Sequence, residues 1–574
     1  MASRRSRTAQ TQTSHRGGLR IGRLLALIAM VILALLLVAG VSWGAWAWIT
    51  RPSAITITTE PKDASITITG VQKDKSGKDQ MRTWEASGTL TVNPATPNTT
   101  YTVKIKLKGY KAIPPMALKP GAGDWINKTI KMQLMPVSLT MNVLPKSAVW
   151  TITPVEPSGA PVSGTGSTTR EFLPGKFQVQ VTANGCQPYK RDLTLDPGGA
   201  AVFTAWLDPS GQIVHKLAVF DTVPAPKGVA ITPDNKEVWV TALVTQPSIG
   251  IYDPVTGKLI DGMNLGKDGG VEVIFNKSGT RAYVSQMQSA SVFEIDAKAR
   301  KVLRQLKTNS SWTKVIELSP DEKTLYAANW VGNDVSQFDL KTGKLVRNMP
   351  TVETPRGLYP TEDGKRLFVA GFGEKSFIGR LAVIDLASGK SRTFMTEKKG
   401  AMRHIVGDEK TGRLYTSDMG RSVVWVTDMK TLSTKLLTNV DSHPNTIALS
   451  PDGKLLYVSC RGANNPQGYN LKGPEWGTIL IFDALTGKPF DAIIAGNQAT
   501  ALALSDDGKI LIGSDFLDNK ARSYEIPPYE TFAQGDGGLY PKHTSLLVRP
   551  GWEGKWTVGQ DVNREGMGNN MGSN

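Results

Sequence analysis

Residues 449–458 read LSPDGKLLYV, and versions of this phrase occur seven times in the second half of the chain. In chain order the copies are GVAITPDNKEVWV, EVIFNKSGTRAYV, VIELSPDEKTLYA, GLYPTEDGKRLFV, HIVGDEKTGRLYT, TIALSPDGKLLYV and ALALSDDGKILIG. One large residue of each copy marks the spacing: Trp239, Tyr283, Tyr326, Phe368, Tyr415, Tyr457 and Ile512. A repeat of roughly 40–50 residues is typical of propellers and solenoids.

Each copy reads as the start of a four-stranded unit. An apolar strand meets a turn such as Pro451–Lys454, a second strand returns, a third ends near an acid, and a fourth follows. Four short strands per unit predict a propeller blade. The last unit lacks a fourth strand after Ile526, so we expect residues 213–219 to supply it and close the ring, which removes exposed sheet edges.

These phrases, Leu449–Val458 above all, resemble the YVTN-repeat β-propeller family over roughly residues 210–528. The resemblance implies an all-β protein with a seven-bladed β-propeller. For function it implies little, because the family mixes envelope proteins of unassigned role, ligand or nucleic-acid binders, and relatives resembling lactonases and dehydrogenases.

Residues 54–208 show short alternating strands separated by Pro, Gly and Asn clusters, with a weak internal repeat. The segment 61–64 (PKDA) recurs as 145–148 (PKSA), each followed by alternating apolar residues. Together with 173–177 (LPGKF), this arrangement resembles the PEGA-domain family of small β-sandwiches. The resemblance implies two stalk or adhesion modules without catalysis, which we place at residues 54–135 and 136–209.

Residues 24–50 form an uncharged apolar run long enough to cross a bilayer as a helix. Arginines crowd its near end and Trp43, Trp46 and Trp48 its far end. The positive-inside rule predicts a single-pass anchor in a bacterial or archaeal cytoplasmic membrane, with residues 1–23 as a basic cytoplasmic tail and the bulk of the chain outside. A cleaved signal peptide is the alternative, but the run is longer than a signal h-region.

The composition favours anionic partners without naming one. The formal net charge is +17, which suits phospholipid, a cell-wall polymer or nucleic acid, or serves only solubility. Cys186 and Cys460 are the two cysteines, which excludes a disulfide framework. No histidine pair has metal-ligand spacing and no hydrolase motif occurs, so we expect no catalytic residue, metal or cofactor.

The first candidate site comes from aligning the seven copies. Residues just before the first strand of each blade should ring one mouth of the central channel, and they are Lys227, Val271, Lys314, Arg356, Arg403, Asn445 and Thr500. Converging cations repel one another unless an anion screens them. We therefore expect an anion-binding mouth with His404 and His443 nearby, the alternative being that the basic side chains extend into solvent.

The second candidate site is a set of loops on the same face. Trp330 belongs to one loop, and an insertion over residues 461–477 carries Arg461, Tyr469 and Trp476, which suggests a partner-binding contact. The alternative is a lid packed on its own blade. Residues 529–574 form a C-terminal extension, whose Trp552 and Trp556 suggest a strap and whose end should be disordered.

Three functions remain open from the sequence. The first is a membrane-anchored envelope protein that binds a protein partner or polyanion without catalysis. The second is a propeller enzyme, a lactonase-like hydrolase or an oxidoreductase with a metal or cofactor in its channel. The third is a spacer in an envelope complex.

Overall fold

The computed structural model describes residues 18–49, 51–74, 76–243 and 246–559, and it divides them into two compact units. Most of the predicted cytoplasmic tail and the predicted disordered end lie outside the described residues. Helix α1 (Gly18–Ile49) contains the segment Ala26–Trp48, which is long and apolar enough to cross a membrane. A signal sequence near the N-terminus can meet the same criteria of length and hydropathy.

The first sandwich has seven strands. Their bounds are β1 (Ser53–Glu60), β2 (Ser65–Lys73), β3 (Asp79–Ser87), β4 (Thr89–Ala95), β5 (Tyr101–Lys106), β6 (Met116–Leu118) and β7 (Trp125–Lys131). They form two sheets, ordered β4-β1-β7 and β3-β2-β5-β6. Alternate residues of β1 and β2, such as Ile57 and Ile66, are fully buried between the sheets. The alternation seen in the sequence therefore marks a two-layer core.

The second sandwich repeats this topology. Its strands are β8 (Val137–Leu144), β9 (Val149–Glu156), β10 (Val162–Thr165), β11 (Thr168–Phe172), β12 (Gly175–Thr182), β13 (Tyr189–Leu195) and β14 (Ala200–Trp206). The sheets are ordered β11-β8-β14 and β10-β9-β12-β13, which is the order of the first sandwich shifted by seven strands. Trp150 fills the position that Ile66 has in the first copy, and both are fully buried. The prediction of two small sandwiches is confirmed.

The remaining strands form seven four-stranded sheets, as predicted. Their bounds are β15 (His215–Asp221), β16 (Pro226–Ile231), β17 (Val238–Ala242), β18 (Ile249–Tyr252), β19 (Leu259–Met263), β20 (Val273–Phe275), β21 (Arg281–Gln286), β22 (Ser291–Asp296), β23 (Lys301–Lys307), β24 (Thr313–Leu318), β25 (Thr324–Asn329), β26 (Asp334–Asp339), β27 (Lys344–Pro350), β28 (Pro355–Pro360), β29 (Arg366–Gly371), β30 (Ile378–Asp385), β31 (Ser391–Lys398), β32 (Met402–Asp408), β33 (Arg413–Asp418), β34 (Val423–Asp428), β35 (Thr434–Asn439), β36 (Pro444–Leu449), β37 (Leu455–Cys460), β38 (Thr478–Asp483), β39 (Pro489–Ile494), β40 (Ala499–Leu504), β41 (Ile510–Asp515) and β42 (Lys520–Glu525).

Blades 1 to 6 each use four consecutive strands from β16 onward, and blade 7 is β15-β42-β41-β40. The first strands of neighbouring blades, such as β28, β32 and β36, contact one another, so they line the central channel. We call the beginning of these strands the mouth end and their far end, where the hairpin turns lie, the turn end.

The ring closes through the pairing of β15 with β42, antiparallel from His215 opposite Glu525 to Asp221 opposite Lys520. This confirms the predicted closure, with the strand two residues later than expected. Asp491, which is fully buried, reinforces the junction: its carboxylate accepts the backbone N–H groups of Ile213 at 2.7 Å, Val214 at 3.0 Å and Leu539 at 2.8 Å.

The C-terminal extension packs on blades 6 and 7 through α2 (Tyr529–Ala533) and a 3₁₀ turn (His543–Leu546). Phe532 is fully buried and stacks on Phe490 with a 6.1 Å centroid distance. The buried imidazole of His543 lies 3.0 Å from the carboxylate of Asp441. These contacts make the extension, as far as residue 559, part of the folded propeller.

Candidate functional site

The predicted mouth residues occupy one structural position. Six of them are the second residue of the innermost strand of their blade, not the residue before it, while Val271 precedes β20: Lys227, Lys314, Arg356, Arg403, Asn445 and Thr500. In each of these six strands a β-bulge begins at or directly after the first residue. Bulges redirect side chains at sheet ends. In each of these strands the bulge therefore changes the direction of the second side chain from the regular alternation.

The backbone at the mouth end is strained. In five blades the residue just before the innermost strand has a left-handed conformation, with φ between 50° and 60°: Ala225, Trp312, Thr354, His443 and Gln498. None of them is glycine. A non-glycine residue in this region costs roughly 1–2 kcal/mol, and such strain often accompanies function.

The cations are buried, in contrast to the alternative that they extend into solvent. Lys314, Arg356 and Arg403 are 8%, 7% and 6% exposed. Within the described residues, none of these three cations forms an ion pair, and neither does Lys227. Burial without a counter-ion is the state in which a charge costs most.

Polar partners are equally scarce. The Arg403 Nε–H donates to Asn445 Oδ1, and the Asn445 amide donates to the backbone carbonyl of Thr500 at 2.8 Å. No hydrogen bond from the guanidinium of Arg356 or the ammonium of Lys314 is found within the described part of the chain. Their N–H donors are therefore available to a ligand.

Aromatic rings support the cations from behind. The ammonium of Lys314 lies 3.7 Å from the Trp330 ring centroid, and the guanidinium of Arg356 lies 5.9 Å from it. Arg403 lies 5.4 Å from the Phe372 centroid. Cation–π contacts of this kind partly offset the loss of water. Glu272 and Glu374 attract these cations as well, although no carboxylate of the described residues forms an ion pair with them.

Trp330 differs from its expected role. The sequence places it in an exposed partner-binding loop, but it is 1% exposed, its indole donates to Glu374 at 2.9 Å, and its ring contacts Phe372 at 5.1 Å. Trp330 is buried because its large apolar ring packs against Phe372 of the next blade. Trp330 is thus a wall of the mouth and not a surface contact.

The charges of the mouth act on one another. Burial, and then repulsion from Arg356, Arg403, Arg461 and Lys314, hold the pKa of Lys227 well below its ordinary value. Burial and repulsion also lower the pKa of Lys314 and that of Arg403 well below the usual values. The cluster is therefore an electrostatically frustrated cationic site.

The two predicted histidines lie in this positive field. Burial is the main cause that lowers the pKa of His404 and that of His443 to about 4. His443 donates Nδ1–H to the carbonyl of Gly462 at 2.9 Å, and its Nε2 is buried without a partner. His404 Nδ1 is likewise without a partner among the described residues. Neutral imidazoles follow from this environment near pH 7.

The second candidate site joins the first through Arg461. Its guanidinium donates to Gln498 and repels Arg403 and Lys227, so it belongs to the mouth. The amide of Gln498 donates to the carbonyl of Tyr469, which brings the insertion to the mouth rim. The cationic cluster thus comprises Lys227, Lys314, Arg356, Arg403 and Arg461.

The insertion is fastened by the C-terminal extension. Trp476 is half-buried, with Arg549 5.0 Å from its ring centroid. The buried carboxylate of Glu475 accepts bonds from Ala463 N and from the Trp556 indole, each at 2.9 Å. Trp476 is therefore partly covered by the C-terminal extension, whereas the alternative drawn from the sequence was a lid packed on its own blade.

Sequence reasoning missed two acids in the channel, Glu272 and Glu317. Burial raises the pKa of Glu272 to about 7, although Arg356 and Lys227 oppose the shift, and burial raises that of Glu317 to about 8. Both lie on innermost strands or directly before them. Their signal was an acid within otherwise apolar phrases, VEVIF and VIELSP. Among the residues described, no three His, Cys, Asp or Glu side chains are grouped as a metal site.

The comparison with family models supports the propeller, and the other comparisons give proteins to which part of the chain is similar. The family described as "Lactonase, 7-bladed beta-propeller" matches residues 222–406. Antigen Lp49 of Leptospira interrogans is 37% identical over 326 residues, covering 55% of this chain and 71% of that protein. Hydrazine synthase subunit beta of Kuenenia stuttgartiensis is 24% identical over 247 residues, covering 39% of this chain and 56% of that protein. A solved chain of Kuenenia stuttgartiensis hydrazine synthase superposes with a TM-score of 0.47 at 19% identity, over 53% of this chain and 96% of that one.

Proposed function

The chain belongs to the same family as Antigen Lp49, and from that premise we propose that it is a membrane-anchored envelope protein whose propeller binds an anionic ligand, without catalysis. The observation that carries the proposal is the cationic cluster: three cations at most 8% exposed, with no ion pair in the described part of the chain. A fold that stability alone selected would not retain such a cluster.

Burial also limits the form of the ligand. Because Arg356 and Arg403 are only 7% and 6% exposed, we propose that a small or terminal anionic group, and not an extended charged surface, reaches their guanidinium groups. A carboxylate or phosphate on a small molecule, or at the end of an envelope polymer, satisfies this condition. The unpaired N–H donors then gain charge-assisted hydrogen bonds in a water-poor setting.

The remaining domains fit a role at the cell envelope. We propose that α1 is an uncleaved anchor with its N-terminus in the cytoplasm, and that the two sandwiches are PEGA-like stalk modules that precede a YVTN-type propeller in the chain. The support for this placement is the segment Ala26–Trp48 of α1, which is long and apolar enough to cross a membrane.

A lactonase-like hydrolase is the second candidate, and a specific observation favours it. The lactonase family matches residues 222–406, and this stretch contains Glu272, Glu317 and His404, three half-buried titratable groups in the channel. Carboxyl groups with a pKa near neutrality are suited to general acid–base chemistry.

Isothermal titration of the full chain in detergent tests the binding proposal, with citrate and inorganic phosphate as probes at constant ionic strength. Arg356→Ala should weaken binding of the preferred probe about tenfold or more, because one charge-assisted hydrogen bond contributes about 1.5–3 kcal/mol. Lys323→Ala is the matched control, since that ammonium is 80% exposed at the turn end of blade 3.

Two results would contradict the proposal. The first is that neither citrate nor phosphate binds the wild-type protein. The second is that Arg356→Ala binds the preferred anion as tightly as Lys323→Ala and the wild type do. Hydrolysis of a simple aliphatic lactone by the wild type, lost in Glu272→Gln, would instead support the second candidate.

A further inference from the structure

The first sandwich begins almost directly after helix α1. Arg51 follows the last helical residue, Ile49, by two positions, and its backbone carbonyl accepts the N–H of Gly123 at 3.2 Å. Ala54 N–H donates to the carbonyl of Asp124 at 2.9 Å. Since two residues span at most about 7 Å, the loop Gly121–Trp125 lies roughly 10 Å from the end of the helix.

This end of the sandwich exposes large apolar side chains. Trp125 opens β7 in register with Ala54 and is 71% exposed, and Met81 is 70% exposed. Met81 pairs with Val71, the neighbour of Gln72, and Gln72 lines a cavity of about 340 Å³ together with Pro52. Both exposed side chains are therefore on the part of the sandwich nearest the helix.

Charged side chains of both signs lie at this end, and Asp79 and Asp124 are the exposed acids. Arg51, Lys73, Lys78 and Arg82 are exposed at or beside this end. An exposed indole close to the end of a membrane helix favours the headgroup region, because the ring prefers the interface, and nearby cations such as Arg51 are drawn to anionic phosphates.

We propose that this surface, defined by Met81, the loop Gly121–Trp125 and the four cations, lies on the phospholipid headgroups of the membrane that α1 spans. The contact would hold the sandwich against the membrane surface and restrict its motion relative to the helix. This inference rests on the anchor in the proposed function and is independent of the anion site.

Hydrogen–deuterium exchange of the full chain in nanodiscs tests the contact. In phosphatidylcholine–phosphatidylglycerol discs, amides of residues 119–125 should exchange several-fold more slowly than in detergent micelles. The turn over residues 61–64, at the opposite end of β1, should exchange alike in both. Trp125→Ser combined with Met81→Ser should abolish the protection while leaving the amides of β1 unchanged, which shows that the sandwich is still folded.

The outcomes separate the two hypotheses. Equal exchange of residues 119–125 in discs and micelles, with the protein retained in the discs, overturns the headgroup contact but leaves the anchor intact. Protein that does not co-purify with the discs refutes the anchor, and the headgroup contact falls with it.

Discussion

The mouth end and the turn end of the same innermost strands follow opposite rules. At the turn end, five of the seven hairpins place a Ser or Thr hydroxyl 2.6–2.7 Å from the carboxylate two residues on: Thr232–Asp234, Ser319–Asp321, Thr361–Asp363, Ser450–Asp452 and Ser505–Asp507. Hydrogen bonds to these carboxylates lower their pKa, as at Asp363. At the mouth end, buried charges have few partners and their pKa is lowered by repulsion and burial.

The backbone shows the same contrast. The left-handed turn positions are mostly glycine, as at Gly453 and Gly508, whereas the left-handed mouth positions carry side chains as large as that of Trp312. Glycine adopts this conformation without steric cost. The turn end, whose pattern repeats from blade to blade, thus serves folding. The mouth end, whose residues vary, lowers stability, which is the usual mark of a functional site.

The largest expected effect concerns His443 at the mouth end. Its folded pKa of about 4 lies below the unfolded value of 6.5, so the unfolded state binds more protons between these values. The free energy of unfolding should therefore rise as pH increases from 4 to 6.5, by up to about 3 kcal/mol for this residue.

His443→Gln should reduce the slope of that part of the profile but leave the contribution of His404, whose pKa is also about 4. The profile is measured by urea unfolding of the full chain at a series of pH values. Its control is His215→Gln, a change at a side chain that is 59% exposed. Parallel profiles for wild type and His443→Gln would show that the mouth does not bury this imidazole.

Ser450→Ala tests the turn end. The hydroxyl donates to Asp452 at 2.6 Å and accepts the N–H groups of Lys454 at 3.1 Å and Leu455 at 2.9 Å. Loss of these bonds should cost about 1–3 kcal/mol of stability, seen as a lower calorimetric midpoint. Anion affinity should stay at the wild-type value, and a weaker affinity would contradict the division between the two ends.

Lys227→Met should have the reverse effect. It removes one of the mutually repelling cations and keeps a long side chain against Phe516, whose ring centroid is 5.3 Å from the ammonium. We expect stability to rise by about 1 kcal/mol while the preferred anion binds more weakly. A lower thermal midpoint would mean that this ammonium stabilises the free protein.

The smallest expected effect is that of Ala225→Gly. Ala225 has φ of 50°. Glycine there relieves a strain of about 1–2 kcal/mol and costs about 0.5–1 kcal/mol in backbone entropy, so we expect a small net stabilisation. Calorimetry checks the sign, with Ala230→Gly, inside β16, as the matched destabilising control. If Ala225→Gly and Ala230→Gly both destabilise the protein, backbone strain does not distinguish the mouth end from the turn end.

The propeller could be predicted from sequence because each blade repeats the same local pattern, and four of the five cations emerged from aligning the copies. Arg461 was assigned to another site, since the packing of blade 6 against blade 5, and no local pattern, brings it beside Arg403. The burial of Trp330 depends on Phe372 of the next blade, a contact that no local pattern encodes. Glu272 and Glu317 were missed because alternation alone gave no reason to single out acids that the channel desolvates.

The closing sheet also has a mechanical consequence. His215 of β15 lies opposite Glu525 of β42, so the chain enters and leaves the ring at the same end of this pair. Tension applied between the helix α1 and the C-terminal extension would peel these strands apart one residue pair at a time, the weakest direction in which a sheet can be loaded. Asp491 accepts hydrogen bonds from Ile213, Val214 and Leu539 at the point where the strands would begin to separate. These bonds therefore resist that force.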